Sequence, residues 1–378
     1  MLNPIAYSER IVSDFLKYQL TTYPFTDPDL YEQMRRLLNL EETRSTPLMK
    51  GPYISLSRSF RTGASVSSLI SESVLHPHMA NLIPYSHVFG HQETSIRHIA
   101  SGRSVLVSTG TGSGKTECFL YPIISHCLRL RDENAPPGIA AVVVYPMNAL
   151  AEDQLGRMRE LLAGTGISFG MYVGKTPEWK SDVSGVRLPQ GSSREDYRRR
   201  VSKLRENKDA RAVHPFEERA SREEMRTPGE QPRILLTNVM QLELLLTRYR
   251  DVELFGGARL DYMVFDEAHT FTGASGAETA CLIRRLRSFC GKKPSETVCV
   301  ATSATIADTR GGLDSTRAGQ NFASRFFGVD GETVQIVGEE HQPDLWAENR
   351  LPSPPLPGSP SVHLQNVLEA LAGVEKEQ

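Results

Sequence analysis

The residues Ser108 to Glu117 read STGTGSGKTE. They follow the apolar run Ser104-Val105-Leu106-Val107 and precede a helical run through Phe119, Leu120, Ile123 and Ile124. A strand end, a glycine-rich turn and a helix start are the parts of a phosphate cradle. Glycine lets backbone N–H groups converge on phosphate oxygens with no Cβ in the way, and the helix dipole favours negative charge there. In such a cradle Thr109, Gly110, Thr111, Gly112, Ser113 and Gly114 form the wrap. Lys115 reaches the β- and γ-phosphates, and Thr116 ligates Mg²⁺. One departure counts: the general spacing G-x-x-x-x-G-K-[ST] asks for glycine where this chain has Thr109. A glycine turn with an incidental lysine is the alternative reading.

A second stretch answers the first. Asp261 to His269 reads DYMVFDEAH, an apolar strand ending in two acids. A carboxylate at that end, Asp266, can hold Mg²⁺, usually through water. The next one, Glu267, can take a proton from an attacking water as general base. Acids that merely complement a helix dipole are the plainer alternative.

These groups work together only if the chain brings both segments to one rim. Short apolar runs recur at 104–108, 140–146, 167–173, 234–237, 262–265, 298–302 and 333–337, mostly separated by helical spacing. That alternation predicts an α/β fold: a parallel sheet covered by helices on both faces. Residues 1–80 read as a mostly helical accessory region, with Asp27-Pro28-Asp29 as a helix start. Residues 81–345 form the α/β lobe. Within it, 177–233 is polar and rich in Arg and Glu, with Arg198-Arg199-Arg200 as its densest basic spot. The preferred reading is a solvated helical insertion of mixed charge; the sharper one is a wall of a DNA channel. Residues 346–378 hold a stiff Pro-rich linker and one short amphipathic helix, 362–371.

The bulk numbers narrow the function classes. The formal net charge is −2, so affinity for nucleic acid must come from local patches. The five cysteines are scattered, with no Cys-x-x-Cys pair, which fits reduced thiols in a cytoplasmic setting. The N-terminus lacks a signal-peptide layout, and no apolar run approaches the ~20 residues of a membrane helix.

Residues 109–116, 266–269 and 303–305 resemble motifs I, II and III of superfamily 2 helicases of the DEAD/DEAH type. Phe89 with His91-Gln92 resembles the adenine-reading glutamine motif. Residues 145–154, 172–177 and 236–238 resemble the nucleic-acid segments. The run from Asp266 through Gly273 and Gly276 to Arg287 resembles the RecQ-like and Lhr-like branch of large DNA helicases found in bacterial repair and phage defence. The resemblance spans roughly 85–340 and implies a RecA-like motor lobe using ATP and Mg²⁺. Gln92 would read adenine. His269, Ser303 and Thr305 would couple nucleotide state to strand grip. Pro146, Asn148, Lys175, Thr237 and Asn238 would contact backbone phosphates, which position a strand without reading its sequence. Thr237-Asn238 also reads as a helix cap, and cap and phosphate contact are compatible.

The family carries a second RecA-like lobe with an arginine finger, worth ~10³–10⁵ in turnover. No matching motif follows Pro360, so the expected partner is a second lobe from further chain or another protein. The expectation for these residues alone is binding of ATP·Mg²⁺ with weak hydrolysis and no unwinding. The leading reading is the first motor lobe of an ATP-dependent DNA helicase or translocase in repair or anti-phage defence. The alternatives are a non-catalytic nucleotide- and DNA-binding scaffold, or an RNA-remodelling ATPase.

Overall fold

A computed structural model describes residues 4–22, 24–38, 58–110, 112–304 and 313–343. Thr111, Thr305 and the linker with its helix lie outside the described residues. The chain divides into two compact units, Met1–Arg58 and Ser59–Gln378.

In the first unit α1 spans Pro4–Thr22 and α2 spans Pro28–Leu38. The expected start of α2 is present. Asp27 Oδ1 accepts from the backbone N–H of Asp29 at 2.8 Å and of Leu30 at 3.2 Å, satisfying donors the helix cannot.

The second unit is built on an eight-stranded sheet. Its strands are β3 (Ser104–Ser108), β4 (Ala141–Tyr145), β5 (Phe169–Tyr172), β8 (Glu218–Arg219), β9 (Ile234–Asn238), β10 (Tyr262–Phe265), β11 (Val298–Ser303) and β12 (Val334–Gly338). The order is β12-β3-β11-β10-β4-β9-β5-β8, and every pairing is parallel. Both faces are covered, which is why the strands read as unbroken apolar runs. Val105, Val107, Val143, Leu236 and Val264 enter one core, with Phe119 and Ile123 of α6 (Lys115–Asp132) and Leu155 of α7 (Asn148–Leu162). Leu106, Val142, Val144, Leu235, Met263 and Phe265 enter the other. That core also takes Leu245 of α10 (Val239–Thr247), Leu282 of α11 (Gly273–Phe289) and Phe326 of α12 (Leu313–Phe327). The period of two divides each strand between the cores.

Two segments depart from the sequence reading. Residues 59–80 pack within the second unit. There β1 (Thr62–Ser65) runs antiparallel to β2 (His87–Phe89), and Phe60 bridges to His341. The charged insertion is helical in part, as read, but is also more than a solvated appendage. It supplies the edge strand β8, the short pair β6 (Val186–Arg187) and β7 (Val213–His214), and helices α8 (Arg194–Glu206) and α9 (Arg222–Arg226). Tyr197, Leu204 and Val213 make a small core against Ala163. Its basic spot is partly neutralised in place: Arg198 bonds Glu160 at 2.7 and 3.0 Å, and Arg199 lies 3.6 Å from Asp196.

Candidate active site and nucleic-acid face

All the strands of the eight-stranded sheet point the same way, so the segments leaving their C-terminal ends share one rim. The phosphate loop leaves β3, Asp266 leaves β10 and Ser303 ends β11, on neighbouring strands. Two loop positions, Gly112 and Gly114, have φ of +82° and +79°, where only glycine is unstrained. Thr109 has no positive φ and needs no glycine. It is 1% exposed, and its hydroxyl shares a hydrogen bond with Ser113 Oγ at 2.7 Å. That accounts for the departure from the motif: the side chain braces the loop from within. The backbone N–H of Thr109 also donates to Ser303 O at 3.0 Å, tying the loop to β11.

The two halves of the site meet. Lys115 Nζ, from the first turn of α6, lies 3.4 Å from Glu267 Oε1. Asp266 is 9% exposed. Burial raises its pKa, and the adjacent Glu267 charge adds to this. The Thr302 hydroxyl, the Lys115 charge and the backbone N–H of Glu267 act in the opposite sense. A buried carboxylate short of positive charge is a site that gains from a cation. Among the described residues no cluster of three or more His, Cys, Asp or Glu could hold a metal alone. Asp266 offers an oxygen of the kind Mg²⁺ takes, and that ion needs only one or two protein oxygens, filling the rest with phosphate and water.

Glu267 sits at φ +51°, a left-handed conformation costing of order 1 kcal/mol in a residue with a Cβ. Its N–H donates to Thr302 Oγ1 at 3.1 Å and to Asp266 Oδ1 at 3.2 Å, while its carbonyl accepts from Thr270 N at 3.0 Å. The Thr302 hydroxyl itself donates to Asp266 Oδ1. Thr302 therefore holds both acids, and no spacing in the sequence singles it out. His269 Nδ1 lies 3.3 Å from Glu267 Oε2, beside the acid it would couple.

The glutamine motif braces the same loop. Gln92 Oε1 accepts from Phe89 N at 2.9 Å, and Gln92 Nε2 donates to Gly114 O at 3.1 Å. His91 is fully buried, which lowers its pKa, and Nε2–H donates to Ser113 O at 2.8 Å. Phe89 is 39% exposed and its ring lies 5.3 Å from that of Phe60, which stacks on His341 at 5.2 Å. Glu339, just past β12, accepts from the backbone N–H of Gly110. Phe60, His341 and Glu339 come from segments with no motif of their own, so sequence reasoning had no handle on them.

Further along the rim, the ends of β4, β9 and β5 carry the second group. Asn238 caps α10, with Oδ1 accepting from Gln241 N at 2.7 Å, and its Nδ2 donates to Asn148 Oδ1 at 2.7 Å. Asn148 opens α7, with Pro146 just before its cap Met147, so the Asn238–Asn148 bond sets the starts of α7 and α10 side by side. Thr237 is fully buried, and its hydroxyl donates to Tyr172 O at 2.8 Å. It ties β9 to β5 and does not face solvent. Lys175 is exposed and lies 3.4 Å from Glu152. The two groups of residues are linked where β10 meets β4, with Asp266 N donating to Val144 O at 3.0 Å.

A family model, DEAD/DEAH box helicase, matches residues 89–188 and 188–311, more than half of the chain. The chain belongs to the DEAD/DEAH-box helicase family. Its parallel sheet, with the phosphate loop on β3 and the paired acids on β10, is the RecA-like lobe of that family. It is 28% identical to Druantia protein DruE of Escherichia coli (strain UMEA 4076-1), over 83% of this chain and 21% of that protein. It is 27% identical to the uncharacterized ATP-dependent helicase YprA of Bacillus subtilis (strain 168), over 59% of this chain and 23% of that one. The chain thus spans about a fifth of these relatives' length. A solved structure of the DUF1998 helicase MrfA bound to DNA aligns over 74% of this chain and 31% of that one, with 21% identity and a TM-score of 0.48. No described helix is long and apolar enough to cross a membrane.

Proposed function

We propose that this DEAD/DEAH-box chain is the first motor lobe of an ATP-dependent DNA helicase or translocase. The carrying observation is the 3.4 Å approach of Lys115, at the start of the helix after β3, to Glu267, just past β10 of the same sheet. Lys115 and the loop N–H groups bind the β- and γ-phosphates. Thr116 and Asp266 hold Mg²⁺, which when bound neutralises phosphate charge. Glu267 orients the attacking water and takes its proton. His269, Ser303 and Thr305 pass the nucleotide state along the rim.

The nucleic-acid strand runs over the ends of β4, β9 and β5. The paired helix starts of α7 and α10 offer N–H groups to its phosphates. Asn148, Asn238 and Pro146 line that contact, Thr237 holds it from beneath, and Lys175 supplies the charge. These contacts carry no base readout, so the preference for DNA rests on the likeness to large DNA helicases. A second RecA-like lobe, from further chain or a partner, supplies the arginine finger. These residues alone then turn ATP over slowly. The setting is cytoplasmic, in DNA repair or anti-phage defence.

The test is ATP turnover with single-stranded DNA, RNA or neither, on this chain and on a longer one carrying the second lobe. DNA-stimulated turnover in the longer chain, lost in Glu267→Gln, supports the motor reading. No turnover there favours a nucleotide-binding scaffold. Stimulation by RNA alone turns the reading to RNA remodelling.

A further inference from the structure

Arg222 belongs to none of the motifs. It opens α9, in the charged insertion, and its side chain reaches the turn that carries Lys175. We propose that Arg222 is a positioning residue that fixes the Val173–Pro177 turn, so that Lys175 meets a backbone phosphate of a bound single strand. The inference rests on the reading of β4, β9 and β5 as the nucleic-acid face.

The turn is closed on its inner side by Thr176. Its N–H donates to Val173 O at 3.1 Å, while its hydroxyl donates to Met171 O at 2.8 Å and accepts from Val173 N at 2.9 Å. The outer side has only Arg222 among the described residues. Its Nη2 donates to Val173 O at 3.1 Å and to Gly174 O at 3.0 Å. Its backbone N–H donates to Pro177 O at 2.9 Å, and Nη1 lies 3.6 Å from Glu178 Oε2. Its guanidinium carbon stands 5.2 Å from the centre of the Tyr172 ring. One residue therefore engages the chain before, within and after the turn.

Among the described residues nothing else there does so. Lys175 is 77% exposed, and its one partner among the described residues is the exposed Glu152, a pairing worth little. A Cβ added at Gly174 would meet nothing within 4 Å, so the tip is not packed.

Arg222 is itself held by a rigid base. Ser221 and Glu224 cap α9 reciprocally, and Arg187 Nη2 bonds Glu224 Oε2 at 3.0 Å. Arg226 Nη1 reaches Asp251 Oδ1 at 3.3 Å, which also accepts from Tyr172 O–H at 2.5 Å. The insertion is thereby fastened to the tip of β5. A lysine at 222 has no planar fork to give one nitrogen to the two carbonyls and the other to Glu178 while stacking on Tyr172.

The experiment is an anisotropy titration of a labelled single-stranded oligonucleotide at several salt concentrations. It compares the unsubstituted chain, Lys175→Gln, Arg222→Gln, Arg222→Lys and the Lys175→Gln/Arg222→Gln pair. Each single Gln variant weakens binding about fivefold and lowers the salt slope by about 0.7, the loss of one single-strand phosphate contact. The double variant binds no worse than Lys175→Gln, because both remove the same contact. Arg222→Lys, which keeps the charge, gives the same loss and serves if Arg222→Gln does not fold. Binding of a nucleotide analogue stays as in the unsubstituted chain.

Losses that multiply in the double variant, or an Arg222→Lys that binds normally, overturn the positioning role. If Lys175→Gln has no effect while the unsubstituted chain binds, the inference falls and the broader reading stands. If the unsubstituted chain binds no oligonucleotide, the reading falls and takes the inference with it.

Discussion

Lys115 Nζ and Glu267 Oε1 lie 3.4 Å apart, so the groups proposed as cradle cation and general base are partners in this structure. On that proposal a triphosphate takes Lys115 from Glu267 and leaves the carboxylate free to hold a water. Glu267→Gln removes this competition along with the base. Nucleotide binding is retained or tightened, and turnover in a two-lobed chain falls about 10²–10⁴-fold. Equilibrium binding of a fluorescent analogue beside steady-state ATPase checks both halves. Weaker binding would contradict the pairing.

Lys115→Ala acts in the other direction. Losing charge-assisted bonds worth about 1.5–3 kcal/mol lowers nucleotide affinity about ten- to a hundredfold. Calorimetric titration with a non-hydrolysable analogue reads this directly.

Asp266 makes the site pH-dependent. Burial, then the Glu267 charge, raises its pKa. A proton therefore competes with Mg²⁺ at a higher pH than at an ordinary carboxylate, and Mg²⁺-dependent affinity falls as the pH is lowered through the raised value. The stability sign follows from the same shift. With the folded-state pKa above the unfolded one, the stabilising contribution of this group is present below the unfolded pKa and lost as pH rises through the folded value. Asp266→Asn thus abolishes the Mg²⁺ response yet raises the melting temperature of the nucleotide-free chain at neutral pH. A lowered melting temperature would show that Asp266 is better solvated than its burial implies.

Thr302→Val tests the support beneath the acids. The swap keeps the shape and deletes the hydroxyl that donates to Asp266 and accepts from Glu267 N–H. Leaving these groups short of a partner costs about 1–3 kcal/mol. The expected result is a lower melting temperature and weaker Mg²⁺-dependent nucleotide binding, with metal-free binding little changed.

Glu218→Gln tests whether the insertion is structural. Burial opposes the Glu218 charge, but bonds from His214 and Arg159 outweigh it and hold its pKa low. Arg159 Nη2 reaches Glu218 Oε1 at 2.7 Å, and the Glu218 side chain is 2% exposed. Breaking a buried pair costs about 3–5 kcal/mol. By the sign rule a depressed carboxyl stabilises above its unfolded pKa, and this is lost as pH falls through the folded value. The variant should melt lower at neutral pH, with the difference shrinking in acid. Equal melting at both would make the insertion a passive appendage.

How much was legible can be judged from particular residues. The P-loop, Asp266, Glu267 and the strands that carry them are local patterns, and local patterns survive in one dimension. Asn238 as a cap was legible for the same reason. The edge strand β8 was not, because two charged residues paired to β5 carry no apolar period. Thr237 shows the opposite failure: a motif position read as surface proved to be a buried tie between strands.

The sequence alone determined which segments are chemical: glycines where φ must be positive, a lysine at a helix start, acids at a strand's end. These follow from backbone geometry within a few residues. Only the tertiary structure decided which groups meet. Parallel pairing puts β3, β11 and β10 beside β4, β9 and β5, so the segments proposed for nucleotide and for nucleic acid share one rim. It also delivered Phe60, Glu339 and Arg222 to that rim from segments without a motif, and turned Thr302, the neighbour of a motif, onto both acids. Their roles rest on distances set by long-range packing, and no local spacing encodes those distances.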